Sequence, residues 1–180
     1  QYASAAKTLE AMITFWPAEK DYWGQLSRIY FNLENHDRAL AVQALAWRKG
    51  LLDRQSELLY LSSLYSHSSV PYKAAEVLQM GIESGVVESS QHHWTIVAES
   101  WYAAEEMENS LFAWEQAGSL AAEGGIDLRR AYILVDLERW QEAGEALDRA
   151  LGKDGLDESE AAEAYLLRGL TRFELGQFDD

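Results

Sequence analysis

Residues 70–87 read VPYKAAEVLQMGIESGVV. A proline opens the stretch, two adjacent alanines follow, and two glycines punctuate its end. None of these residues brings catalytic chemistry, yet each constrains backbone geometry. Pro71 suits the first position of a helix, where its missing N–H removes no bond that the helix uses. Ala74 and Gly81 suit places where two helices cross closely, because a larger side chain would hold them apart. Gly85 suits a left-handed helix cap, with Val86 or Val87 packing back onto the last turn. Gly50, followed by Leu51 and Leu52, repeats the device. The stretch specifies the packing of helix pairs.

The pattern recurs along the chain. Apolar residues return at i, i+3, i+4 and i+7 nearly from end to end, the period of an amphipathic helix, and no alternating strand pattern persists. Trp23, Leu26, Ser27, Tyr30, Ala39, Ala46, Gly50 and Leu51 fall on Leu58, Leu61, Ser62, Tyr65, Ala74, Gly81, Gly85 and Val86. A third copy holds Trp94, Val97, Ala98, Trp101, Ser110, Trp114 and Ala117. A fourth holds Ala131, Leu134, Trp140, Ala143, Leu147 and Ala150. Ala5, Leu9, Met12 and Pro17 match the end of a preceding copy, and Tyr165, Gly169 and Phe173 begin another.

This repeat resembles the tetratricopeptide repeat, a helix–turn–helix of about 34 residues whose anchors are a tryptophan, a leucine, a glycine, a tyrosine and later alanines. The resemblance implies an all-α superhelix, a solenoid of about ten antiparallel helices. Its expected divisions are a half repeat at 1–19, repeats at 20–54, 55–90, 91–123 and 124–161, and a half repeat at 162–180. The chain starts at Gln1 and stops within a repeat. The expectation is therefore a piece of a longer array whose cut ends, including Leu167, Leu170 and Phe173, favour self-association.

Composition narrows the function. There is no cysteine, so disulfides, thiolate metal sites and cysteine nucleophiles are excluded. No run approaches the ~18 apolar residues of a membrane span. The formal net charge is −15, which argues against nucleic acid and anionic membranes as partners. The charge is uneven. Residues 1–90 carry a net −2 and residues 91–180 a net −13, so a basic partner should prefer the C-terminal half.

Sharper chemical readings find little support. Trp23, Trp94, Trp101, Trp114 and Trp140 occupy repeat anchors and read as core. His92 and His93 are neighbours, which a helix points about 100° apart, and they read as solvated. The acids Glu105 and Glu106, and the stretch DESEAAE at 157–163, lack a calcium-loop pattern. The latter reads as a loop with Ser159 and Glu163 near a helix start. EGGID at 123–127 reads as an ordinary inter-helix turn. No catalytic, cofactor or metal site is expected, and no enzyme activity.

The tetratricopeptide resemblance also implies a concave groove, lined by the first helices of successive repeats, that binds a peptide or protein segment. By repeat position its candidates are Arg28, Phe31, Asn32, Ser63, His67, Glu99, Tyr102, Tyr132 and Asp136. The family's carboxylate clamp needs lysines and asparagines where this chain has Gly24, Arg28, Ser63 and Ser66. The groove instead suits an extended or helical peptide with apolar and basic residues.

A narrower resemblance rests on YWGQLSRIY (22–30) and residues 57–87. They look like bacterial repeat proteins encoded beside TonB–ExbB–ExbD energy-transducing components. It implies a periplasmic accessory with a TonB-like or ExbD-like partner, against a soluble cytoplasmic location. The competing expectation is a docking or regulatory part of a longer enzyme or of an envelope assembly or secretion machine.

Overall fold

A computed structural model of the chain describes residues 2–177; the last residues of the expected final half repeat, 178–180, lie outside them. Ten helices run through the described residues: α1 Tyr2–Phe15, α2 Lys20–Asn32, α3 His36–Arg48, α4 Gln55–His67, α5 Pro71–Glu83, α6 Gln91–Ala103, α7 Met107–Leu120, α8 Gly125–Asp136, α9 Trp140–Leu151 and α10 Glu158–Glu174. The chain is all-α. It falls into two compact units that part between Ser89 and Ser90. The step in charge along the sequence coincides with that division, so one unit is nearly neutral and the other strongly acidic.

In the first unit α2 pairs with α3 and α4 with α5, while α1 packs against α2. Each pair closes on small residues. Ala39 and Ala74 are fully buried at the two crossings. Opposite them, Ser27 Oγ donates to the Ala39 carbonyl at 2.8 Å and Ser62 Oγ to the Ala74 carbonyl at 2.9 Å. Around the first crossing Ala6, Leu9, Leu26, Tyr30 and Leu64 form one buried cluster. Pro71 begins α5 at the position expected of it. A β-carbon at Gly81 would sit 2.7 Å from a Val87 methyl and 2.9 Å from a Leu58 methyl, so any larger residue there must displace these side chains. Gly85 is left-handed at φ +76°, and Val87, 1% exposed, packs back with its N–H on the Gly81 carbonyl.

In the second unit α6 pairs with α7, α8 with α9, and α10 packs on α9. Ala98 and Ser110 occupy the crossing of the first pair, Ala131 and Ala143 that of the second, and all four are fully buried. Leu111, Leu128, Leu134, Leu147, Ala150 and Ala164 share one core with Ala131 and Ala143. Trp23, Trp94, Trp101 and Trp114 are buried, whereas Trp140, at the first position of α9, is half-buried.

Helix ends repeat as faithfully as helix faces. α2, α4, α6 and α8 each finish in a left-handed residue: Glu34, Ser69, Glu105 and Glu138, with φ between 56° and 61°. The next N–H closes a six-residue loop back to the helix, from Asn35 to Tyr30, Val70 to Tyr65, Glu106 to Trp101 and Arg139 to Leu134. This is the Schellman arrangement, usually built on glycine. α10 ends the same way, with Gly176 left-handed and Gln177 bonded to the Arg172 carbonyl. α3 also ends so, with Gly50 left-handed and Leu51 bonded to the Ala46 carbonyl.

Three expectations need correction. The stretch 157–163, expected as a loop beside a helix start, is the first turns of α10 itself, because Asp157 caps it: Asp157 Oδ1 accepts the Glu160 N–H and Glu160 Oε2 the Asp157 N–H. His93 is buried and only His92 is solvated, since adjacent helix positions face different ways. The 123–127 turn is also more than a connection. Gly124 donates to the Asp154 carbonyl and lies so near Ala150 that a β-carbon would approach its carbonyl to 2.2 Å. Asp127, 2% exposed, is held by Lys153 Nζ at 2.6 Å and Arg149 Nε at 3.1 Å. Lys153 Nζ also donates to the Gly118 carbonyl, and a β-carbon at Gly118 would press on the Asp127 carboxylate at 2.8 Å.

Candidate functional site

A helix whose inner face is sealed into a pair leaves its residues at spacings of three and four aligned on the free face. In the second unit this rule concentrates the candidates. Glu99 and Tyr102 stand on α6; Leu128, Tyr132 and Asp136 form a stripe on α8. Together with Trp114, Arg129, Ile133 and Glu160 they line one cavity of about 510 Å³. All four candidates of this unit thus meet in one place.

The floor of this cavity is aromatic and apolar, and its charges are incompletely matched. Arg129 lays its guanidinium 5.5 Å from the centre of the Trp114 ring. Glu160 is engaged in the α10 cap. Glu99 and Asp136 make no hydrogen bond or ion pair among the described residues. The Tyr132 hydroxyl donates to Glu163 of α10. Burial first, and then that hydrogen bond, push the Tyr132 phenol up to about 12, so it stays a neutral donor near neutral pH. The Trp114 side chain is almost wholly buried, and its indole Nε1–H has no acceptor among the described residues.

The first unit distributes its candidates differently. Arg28 lines a smaller cavity of about 170 Å³ with Lys20, Gln43, Arg54 and Tyr60. Lys20 is paired with Asp53 at 2.6 Å and Arg54 with Asp21 at 3.6 Å, which leaves Arg28 as the cation there without a carboxylate among the described residues. Phe31 and His67 enter a ring cluster: Phe31 lies 4.8 Å from His36 and 6.1 Å from His67, and His36 and His67 are 4.5 Å apart, between ring centres. Ser63 turns its hydroxyl back onto the Tyr60 carbonyl at 2.8 Å. Asn32 is exposed at the end of α2.

Repeat position alone did not reveal Tyr60, Trp114, Arg129 or Glu160. Trp114 was legible as an anchor of the core, and it is one. It also lines the cavity, with the Arg129 guanidinium over its ring. Glu160 enters only because α10 starts early. Among the described residues no group of three or more histidines and carboxylates is placed to hold a metal ion.

No family model and no curated protein matches the sequence. Solved structures do. The crystal structure of YrrB, a TPR protein with an unusual peptide-binding site, superposes with a TM-score of 0.59 over 97% of this chain and 87% of its own, at 12% identity. A crystal structure of MamA gives 0.57 over 84% and 85%, at 16% identity. MamA from Desulfovibrio magneticus RS-1 gives 0.55 over 84% of each chain, at 14% identity. At such identities the likeness is one of fold. The chain has the helical-repeat fold of tetratricopeptide-repeat proteins.

Proposed function

We propose that the protein is a non-enzymatic interaction scaffold that holds an extended segment of a partner protein against α6 and α8 of its second unit. The observation that carries this reading is the convergence of Glu99, Tyr102, Tyr132 and Asp136, from two successive first helices, on one open aromatic cavity. Accessible tyrosine rings are what a recognition surface offers, and carboxylates beside them without a counter-charge among the described residues suit a basic partner. YrrB, which shares this fold, has a peptide-binding site, and that is in accord with such a use of the helices.

The resemblance of residues 22–30 and 57–87 to repeat proteins encoded beside TonB components supports a narrower form. In it the protein acts in the periplasm as an accessory of a TonB-type system, and its partner is TonB-like or ExbD-like. A basic, proline-rich stretch of the TonB kind is the first partner to test, because the second unit is strongly acidic.

Site-specific photo-crosslinking tests the proposal. A benzophenone amino acid at Tyr102, in the cells that make the protein, should give a discrete adduct identifiable by mass spectrometry. The same group at Phe112, which is exposed but does not line the cavity, should not. The reverse result would move the binding surface elsewhere. An adduct lacking TonB-like or ExbD-like protein would remove the narrower form alone.

A further inference from the structure

The first unit holds two histidines that its buried cluster does not use. His36 opens α3, and His67 closes α4. Their ring centres lie 4.5 Å apart, with the planes inclined at 67°. Phe31 meets both rings at a steep angle, at 4.8 Å and 6.1 Å. Ring packing accounts for this closeness and leaves the ring nitrogens unaccounted for. Among the described residues neither imidazole makes a hydrogen bond or ion pair, and His36 Nδ1 is shut off from water as well. Buried polar atoms in folded proteins are normally bonded. No protein group competes here for the lone pair of either ring.

The spacing is that of a chelate. An imidazole nitrogen sits about 2.0–2.1 Å from a bound transition metal, so the ion lies about 3.2 Å from the ring centre. Two imidazoles at right angles on one ion then have centres about 4.5 Å apart, and at the tetrahedral angle about 5.2 Å. The observed 4.5 Å matches the right-angled case, which tetragonal Cu²⁺ and Ni²⁺ prefer. His67 is exposed, so its ring is free to turn. The χ2 torsion is soft, and turning about it leaves the ring centre nearly in place, because that bond points through the ring. His67 thus brings a nitrogen round to an ion shared with His36 while α3 and α4 stay where they are.

The local charge suits a cation. His67 lies in the last turn of α4, the negative end of that helix. Glu34 and Asp37 flank His36 in the chain and offset the positive start of α3. The Phe31 ring beside both imidazoles shields one side of the pair.

We propose that His36 and His67 form a two-imidazole chelate for a divalent transition-metal ion of the copper or nickel kind, which ties the α2–α3 turn to the end of α4. Water fills the remaining positions. Two protein ligands are fewer than the three or four of zinc sites in enzymes and zinc fingers, so the ion is exchangeable. The proposal does not use the scaffold reading and stands or falls apart from it.

The test adds stoichiometric Cu²⁺ to the full chain and reads its electron paramagnetic resonance. The parent should show the superhyperfine pattern of two nitrogen ligands. His67→Asn, a change at an exposed side chain, should reduce the pattern to one nitrogen. His36→Asn should do the same, with circular dichroism confirming the fold. His92→Asn removes another solvated imidazole and should leave the pattern intact. Stoichiometric Ni²⁺ should raise the melting temperature of the parent and of His92→Asn, and should not raise that of His67→Asn. Fewer than two nitrogens in the parent, or a two-nitrogen pattern that survives His67→Asn, would overturn the proposal. So would an equal Ni²⁺ shift in His67→Asn, which would assign the ion to the carboxylates of an acidic chain.

Discussion

Ser110 on α7 donates its hydroxyl to the carbonyl of Ala98 on α6 at 2.9 Å, the same bond that Ser27 makes to Ala39, given from the opposite helix. In each case the partners are twelve residues apart. The crossing needs one small residue on each side and gains one buried hydrogen bond; which helix supplies the hydroxyl is immaterial. Ser110→Ala should therefore destabilise by about 1 kcal/mol, the usual net worth of such a bond. Adding Ala98→Ser should restore most of it, because the hydroxyl then donates from α6 as Ser27 does from α2. Urea denaturation of the two variants measures the cycle, and a double variant weaker than both singles combined would show that the sides are not equivalent.

A different kind of bond secures the turn between α7 and α8. Asp127 is buried and its charge is met from α9 and the segment after it. Lys153→Met keeps the length of the side chain and removes half of that support. Loss of one partner of a buried pair costs about 3–5 kcal/mol, and the partial exposure of Lys153 places this variant at the low end. Thermal melts should show a large loss, and Lys153→Arg should recover part of it.

Glu105 sits at φ +61° with a full side chain. A left-handed conformation costs an L-residue roughly 1 kcal/mol that glycine does not lose. Glu105→Gly should raise stability by about 0.5–1 kcal/mol even though it removes a side chain and adds chain entropy to the unfolded state. Gly85→Ala, at φ +76°, should do the opposite. Chemical denaturation of the pair gives the sign directly.

Acid should weaken the second unit by an identifiable route. Arg139 bonds Glu142 at 2.7 Å and Glu108 at 2.8 Å, tying the starts of α9 and α7. The hydrogen bond from Arg139 holds the Glu142 carboxyl below its usual 4.5. A depressed folded value means stability that is present above 4.5 and is lost as pH falls through the lower value. Glu142→Gln should be less stable than the parent at pH 7, by less than about 1 kcal/mol for so exposed a pair. The gap should close in acid. Melting curves of both proteins across pH resolve it, and a gap independent of pH would assign the effect to shape.

The sequence was explicit about helix pairs because their requirements are local. Pro71, Gly85, Ala39 and Ala74 each act through their own backbone or one crossing, and they return at fixed spacing. A helix start near Ser159 was legible, but the residue that caps it, Asp157, was not. Asp157 and Glu160 close a reciprocal capping box there, in a stretch whose acids read as a loop. Asp127 was illegible for a stronger reason. A lone aspartate in a glycine turn reads as solvated, and the cations that bury it stand 22 and 26 residues further on. At the candidate groove, repeat position identified the residues on α6 and α8. It was blind to Trp114 and Arg129, since an anchor tryptophan reads as core and gives no sign that a cavity adjoins it.

The ε-amino group of Lys153 is a point of chemical ageing. It is partly exposed, yet the buried carboxylate of Asp127 and the carbonyl of Gly118 both depend on its charge. Carbamylation by cyanate in old urea, or acylation by amine-directed labels, removes that charge without altering the sequence. Batches handled in this way will fray first between α7 and α8, and the damage will resemble an intrinsic weakness of the fold. Mass spectrometry of the peptide bearing Lys153 distinguishes a modified preparation from a truly unstable one.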